Sequence, residues 1–212
     1  MKKNSPRSKA PPAADDSTTK APVAHGATGG CGAESPPPVL TIGHSTRPIE
    51  TFVHLLKAHG VTCLIDVRTV PRSRHNPQFN RENLPDALRP AGISYRHFPA
   101  LGGLRRTKVG SLNTGWRNLS FRGYADYMQT EEFHAAVEEL IQLAAQDQLV
   151  LMCAEAVPWR CHRSLIADAL LVRGLNVMEV SSATRLTPHR LTPFASVHGT
   201  RITYPAANVP PA

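Results

Sequence analysis

Aromatic residues and cysteines are scarce in this sequence, and it has no long apolar run. Only four of its 212 residues are cysteines. Cys31, Cys63, Cys153 and Cys161 fall in a polar N-terminal segment, a strand-like run and one loop, a layout that does not suit a disulfide framework. A reducing, cytoplasmic setting is expected. No stretch approaches the ~18–20 apolar residues that cross a bilayer, and the opening Met-Lys-Lys-Asn-Ser-Pro-Arg-Ser lacks the apolar segment of a secretory signal. No membrane partner is expected. Residues 1–38 contain no aromatic residue and are rich in Pro, Ala, Ser, Thr and Gly. Segments with so little to bury do not offset the entropy of ordering, so a disordered, basic extension is expected there. Its His25 and Cys31 are metal-ligand types, but isolated residues of this kind are given no site. Residues 206–212 are read as a flexible C-terminus.

Acidic residues are in deficit: 24 Lys and Arg against 16 Asp and Glu leave a formal charge of +8. A basic surface attracts anions at long range, so an anionic small molecule or a nucleic acid is the expected class of partner. The sequence sets no oligomeric state.

What remains, residues 39–205, has the length of one ordinary domain. Val39 to Gly43 is a short β-rich run. After the polar turn His44-Ser-Thr-Arg-Pro48, apolar residues at three- and four-residue spacing predict a helix ending at Gly60, with Ser45 or Thr46 as its cap. Val61 to Val67 is a second, nearly continuous apolar run, as in a strand covered on both faces. A helical stretch near 80–88 leads to an alternating strand, Ile93 to Phe98. The connection from Pro99 to Arg122 is longer than the usual ~4–6 residues and suits a lid or binding loop. A long crossover helix follows, broken near Thr130, which can cap its second piece. Then come a strand at Leu149 to Cys153, a helix from His162 to Val172, and a last strand at Asn176 to Val180, after which the chain is expected to trail over the surface. Strands alternating with helices predict a single three-layer α/β domain with a mostly parallel sheet of about five strands. Ligands bind such sheets outside the carboxyl ends of the strands.

That rule gathers four segments onto one rim: Gly43-His44-Ser45, Asp66-Val67-Arg68, Phe98 to Gly103 and Cys153-Ala154-Glu155. The densest chemistry is Cys153-Ala-Glu-Ala-Val-Pro-Trp-Arg-Cys-His-Arg163, which packs two thiols, a carboxylate, an imidazole and two guanidiniums into eleven residues. Cys153, Glu155, His44, Asp66 and His162 are the candidate catalytic groups. Ser45, Arg68, Ser73, Gly102, Gly103, Cys161 and Arg163 are the candidate substrate-binding ones.

Three chemistries fit. A thiol-dependent hydrolase or transferase would use a cysteine beside a helix start, where backbone N–H groups favour a thiolate, with Arg160 or Arg163 clasping phosphate. The phosphatase spacing of Cys, five residues, Arg is absent, since six residues separate Cys153 from Arg160 and nine separate it from Arg163. A zinc or iron site would use Cys153, Glu155, Cys161 and His162, with His44. The zinc-deaminase signature needs a further Pro-Cys-x-x-Cys pair that the chain lacks, and no cofactor is assigned. A nucleic-acid or nucleotide module without catalysis would use Arg68, Arg72, Arg74, Arg105, Arg106 and Lys108, with Trp116, Phe121 and Tyr124 as stacking surfaces.

Thr41-Ile-Gly-His-Ser, Asp66-Val-Arg with Pro71 and Ser73, Leu101-Gly-Gly, and Cys153-Ala-Glu with Cys161-His-Arg together resemble the domain of unknown function 488 family of bacteria and archaea, from about Val39 to Tyr204. The resemblance implies a single α/β domain and supports the motif positions. It points to no one reaction.

Overall fold

The apolar runs become the strands expected of them: β1 (Val39–Gly43), β2 (Cys63–Asp66), β3 (Ser94–His97), β4 (Leu149–Cys153) and β5 (Val177–Ser182). Every residue of β1, β2 and β4 is buried, as continuous apolar runs require, whereas β3 alternates exposed and half-buried. The computed structural model describes residues 37–206. The expectations for residues 1–36, including His25 and Cys31, and for 207–212 lie outside the described residues.

The sheet has six strands in the order β3-β2-β4-β1-β5-β6. The first five are parallel, and β6 (Arg185–Pro188) pairs antiparallel with β5. Alternate residues of each strand serve opposite faces. Leu40, Ile42, Leu64, Val150 and Met152 pack against α1 (Ile49–Ala58) and α2 (Leu84–Leu88). Val39, Cys63, Ile65, Leu149 and Leu151 pack against α3 (Leu119–Tyr127), α4 (Glu131–Ala144) and α5 (Arg163–Leu171). The result is three layers, helices on both faces of the sheet.

Three local expectations need correction. First, α1 begins after Pro48 with no side-chain cap. Ser45 lies too far upstream to cap it, and its N–H is already given to the Ala154 carbonyl. Second, α3 starts at Leu119, capped by Asn118, whose side chain accepts from Ser120 N and Phe121 N. The break at Thr130 is where the sequence puts it, and Thr130 Oγ1 accepts from Phe133 N at 3.3 Å.

Third, the chain after β5 does not trail. Besides β6, it forms a hairpin of β7 (Ser196–His198) and β8 (Arg201–Thr203), and Tyr204 is fully buried. The anchor is Asp168, buried on α5. It accepts from His189 Nε2 at 2.7 Å, Thr192 N at 3.2 Å, Thr192 Oγ1 at 2.6 Å and the Tyr204 hydroxyl at 2.9 Å. A buried carboxylate with four donors satisfies its charge only if that segment is in place.

Asp126 of α3 does the same for the long connection before it, accepting from Lys108 N, Ser111 Oγ and Asn113 Nδ2. Asn113 in turn accepts from Tyr204 N. The connection is strapped to the domain at these points. Trp116 packs on Phe121, Phe194 and Tyr204 with centroids 4.7–5.6 Å apart, and Tyr124 is fully buried. Tyr124 has no free stacking face, whereas Trp116 and Phe121 pack against the core and stay half-buried.

Candidate functional site

β1 and β4 are neighbours, yet β1 leads to a helix on one face and β4 to a helix on the other. Their carboxyl ends therefore diverge and open a crevice, the switch point at which open α/β sheets take ligands. Just beyond the strands the two chains stay zipped: His44 N donates to the Cys153 carbonyl at 2.9 Å and Ser45 N to the Ala154 carbonyl at 3.0 Å. Gly43 makes this approach possible, because a Cβ there would fall inside the Glu155 carbonyl group. Ser45 sits at φ 51°, a left-handed conformation that is uncommon for a residue with a Cβ and tends to cluster at functional turns.

One half of the crevice is a closed polar network. Asp66 ends β2 fully buried. Its Oδ1 accepts from Arg68 N and Nε, and its Oδ2 accepts from Arg68 Nη2 at 2.6 Å and from the Tyr95 hydroxyl at 2.8 Å. Arg68 Nη2 also donates to the Phe79 carbonyl, and its Nη1 lies 3.2 Å from His44 Nε2. His44 stacks on Phe79 with centroids 4.2 Å apart, and its Nδ1 lies 2.8 Å from the Ser45 carbonyl. A carbonyl only accepts and a guanidinium only donates, so Nδ1 carries the proton and Nε2 receives one from Arg68. Burial, assisted by the Arg68 charge and opposed by the Ser45 hydrogen bond, lowers the imidazole to about 4. His44 is neutral at pH 7, with both nitrogens engaged. The structure thus gathers His44, Asp66 and Arg68 as the rim sequence predicts, and each is committed to the others.

The other half carries the thiols. Cys153, at the end of β4, and Cys161 are both buried and both free. The Cys161 sulfur lies 3.6 Å from His162 Nδ1 and 3.5 Å from the backbone N of Arg163. The neighbouring Cys153 thiol lowers the Cys161 pKa most. His162 and the Arg163 charge act in the same direction, against burial. Cys153 moves the opposite way, pushed up by burial and by its sulfur neighbour. The two thiols thus differ: Cys161 favours thiolate and Cys153 stays protonated.

His162 is fixed from both sides, with Nε2 2.9 Å from the Val67 carbonyl. Gly103 lies against its ring, where a Cβ would come within 2.5 Å of Nδ1. Gly102 is pressed in the same way against Thr69. Arg163 is fully buried. Its Nη2 donates to the Glu155 carbonyl at 2.9 Å, its Nη1 faces Glu179 Oε2 at 3.5 Å, and its Nε has no hydrogen-bond partner among the described residues.

Glu155 contributes its carbonyl, to Arg163 and to the Cys153 thiol, while its residue is exposed. Ser73 lies in an adjoining hollow of about 400 Å³ with Ser45, Arg72 and Asn76, and its Oγ accepts from Asn76 N. A second hollow of about 400 Å³, walled by Thr69, Gly103 and Phe121, is lined by Cys153, Cys161 and His162 and shares Arg68, Ala154 and Glu155 with the first. Among the described residues, no group of three or more His, Cys, Asp or Glu is placed to hold a metal ion, so Cys153, Glu155, Cys161 and His162 do not form a ligand set. No helix among these residues is long and apolar enough to cross a membrane.

The family model described as "Domain of unknown function DUF488" matches residues 48–170, more than half of the chain. The chain belongs to the DUF488 family. The matched part of this DUF488 chain holds Asp66-Val-Arg, Leu101-Gly-Gly and the Cys153–Arg163 loop. It starts after the Thr41–Ser45 box, which earns its place in the site from geometry alone. No curated protein and no solved structure matches the chain.

Several site groups have no motif to announce them: Val67 through its carbonyl, Tyr95 through its hydroxyl, Phe79 through its ring, and Glu179. Glu179 did leave a trace in the sequence, as the one charged residue inside the otherwise apolar run Val177-Met-Glu-Val180.

Proposed function

We propose that this DUF488 protein is a thiol-dependent hydrolase or transferase acting on a phosphate-bearing substrate, with Cys161 as nucleophile and His162 as its acid–base partner. The supporting observation is the surroundings of one sulfur: an imidazole nitrogen at 3.6 Å, a backbone N–H at 3.5 Å and a buried guanidinium beside it, all at the wall of an open hollow. An activated cysteine needs this combination of nearby base and positive potential. Cys153, the other thiol of the motif, is pushed toward the protonated form and suits a supporting role.

In the proposed reaction the thiolate attacks the electrophilic centre, and a bond to sulfur forms as the bond to the leaving oxygen breaks. His162, protonated at Nδ1, delivers that proton to the leaving group. Water or a second acceptor then attacks the covalent intermediate and gives its proton to His162, and Cys161 leaves as thiolate. The anionic part of the substrate sits in the adjoining hollow, where Ser45, Ser73 and the exposed Arg72 supply donors. Asp66, Arg68 and His44 act as positioning residues, holding the two hollows in register. Three free, buried cysteines suit a reducing cytoplasm.

Non-catalytic binding of nucleic acid keeps only its charge argument, through exposed Arg72, Arg74, Arg106 and Lys108. Of the aromatics expected to stack with bases, Tyr124 is buried in the core, and Trp116 and Phe121 are half-buried and stacked on each other. The test of the thiol reading is iodoacetamide labelling at pH 6.5 with the modified site read by peptide mass spectrometry. Preferential labelling of Cys161, abolished in Cys161→Ser, is expected, followed by turnover in a phosphoester panel that the same variant loses. Labelling of Cys153 first, or of neither, overturns the assignment.

A further inference from the structure

On the far side of the Cys153–His162 loop lies a larger cavity, of about 600 Å³, that none of this chemistry uses. A carboxylate lies within it. Glu179, on β5, receives the Thr41 hydroxyl at Oε2 and faces Arg163 with the same oxygen, leaving Oε1 without a partner among the described residues. Its side chain keeps 14% of its surface exposed, on a residue that lines the cavity. A half-buried acceptor of this kind is complemented by a ligand N–H donor, since leaving it unpaired under a bound ligand costs free energy.

One wall is aromatic. Trp159 stands on a 3-10 turn over Pro158–Arg160, lines the cavity and is 71% exposed. An indole in this position offers a face on which a planar ring can stack. Besides Arg163, two further guanidiniums, Arg47 and Arg190, line the cavity. Arg47 is tied to the Gly43 carbonyl next to the switch point, and Arg190 is exposed. An acceptor, a stacking face and guanidiniums in the lining are the three features that a base, a ring and a phosphate require.

We propose that this cavity binds a purine nucleotide, with the amino-bearing edge of the base on Glu179, the ring against Trp159 and the phosphate at Arg47 and Arg190. The inference rests on the preceding functional reading only in that both ligands carry phosphate, and it requires no reaction at Cys161. Arg163 is the wall shared by the two sites: Nη1 faces Glu179 and Nη2 holds the Glu155 carbonyl of the cysteine loop.

The chain has two tryptophans, Trp116 and Trp159, so a ligand-induced change in emission that disappears in Trp159→Leu reports on Trp159. The full chain is titrated with guanosine and adenosine monophosphates, with uridine monophosphate, which lacks an exocyclic amino group, and with inorganic phosphate. Saturable quenching by at least one purine nucleotide is expected, with uridine monophosphate and phosphate at least ~10-fold weaker. Calorimetry on Glu179→Gln, Trp159→Leu and Arg190→Ala is expected to show roughly 10-fold weaker binding in each; Trp159 and Arg190 are exposed, so those two variants keep the test valid if Glu179→Gln fails to fold. No saturable binding by either purine, equal binding by uridine monophosphate, or affinity unchanged in Trp159→Leu and Arg190→Ala overturns the proposal. Iodoacetamide labelling of Cys161 on the same samples separates the two readings: selective labelling without nucleotide binding removes the purine site and leaves the thiol chemistry standing, and the converse does the reverse.

Discussion

The Cys161 sulfur lies 3.6 Å from one nitrogen of His162, while the other nitrogen of that ring is held 2.9 Å from the Val67 carbonyl. Because the carbonyl can only accept, Nε2 carries a proton, and Nδ1 is the nitrogen that faces the sulfur. Two residues adjacent in sequence thus form a dyad whose orientation is set from β2, across the crevice.

Alkylation of Cys161 is expected to be nearly independent of pH from neutrality upward and to fall only in acid, as pH drops through the lowered thiol pKa and the thiolate is protonated. An ordinary cysteine, by contrast, gains rate toward pH ~8.5. His162→Gln is expected to shift the inflection upward. A rate that climbs steadily between pH 7 and pH 9 in the wild type contradicts the assignment.

Gly103 leaves no room for a side chain over His162. Gly103→Ala is expected to turn the ring away from the sulfur and to slow labelling by about 10- to 100-fold, the usual scale for an ångström of misplacement at a reacting pair. The denaturation midpoint should move far less than the labelling rate. Equal labelling rates in variant and wild type would show that Gly103 does not set the ring.

His44 gives a pH dependence of known sign. Its imidazole falls from an ordinary 6.5 to about 4 in the folded chain, so between those values the unfolded chain binds the extra proton more readily. Stability is therefore lost as pH falls from 6.5 toward 4, by at most about 3 kcal/mol from this group. Urea unfolding at pH 7 and pH 4.5 measures the loss. His44→Gln, which can still accept from Arg68, is expected to flatten the difference.

Asp168 holds the chain after β5 through four hydrogen bonds. Asp168→Ala leaves the Tyr204 hydroxyl and the Thr192 donors buried without their acceptor and is expected to cost about 3–5 kcal/mol. Limited proteolysis should then cut between His189 and Tyr204 before it cuts the sheet. Unchanged protection of that segment would assign its anchoring to the hairpin contacts alone.

The five parallel strands and their helices were legible because each strand is a run of apolar residues and each helix repeats at three and four. β6 to β8 were not. They are short, mostly exposed and contain Pro188, and what holds them is a carboxylate some twenty to forty residues upstream. The site was legible as a set of positions, since the carboxyl ends of parallel strands must share a rim. Its division of labour was not legible. Nothing local separates Cys153 from Cys161, because their difference comes from the contact between the two thiols and from His162 beside Cys161, while burial raises both and the Arg163 charge lowers both. Glu155 stands out in the sequence as a carboxylate; what the sequence does not show is that its main-chain carbonyl holds Arg163 while the exposed residue lines both hollows.

The strand order has a consequence for how this molecule comes into being. β1 emerges first during synthesis, but its two neighbours, β4 and β5, are encoded more than a hundred residues later. Until Leu149–Cys153 inserts between β1 and β2, the nascent chain presents two unpaired apolar strand edges, the kind of surface that recruits chaperones or other nascent chains. The strand that closes this gap is also the one that delivers Cys153 and its loop, and β1 keeps its other edge open until β5 pairs with it.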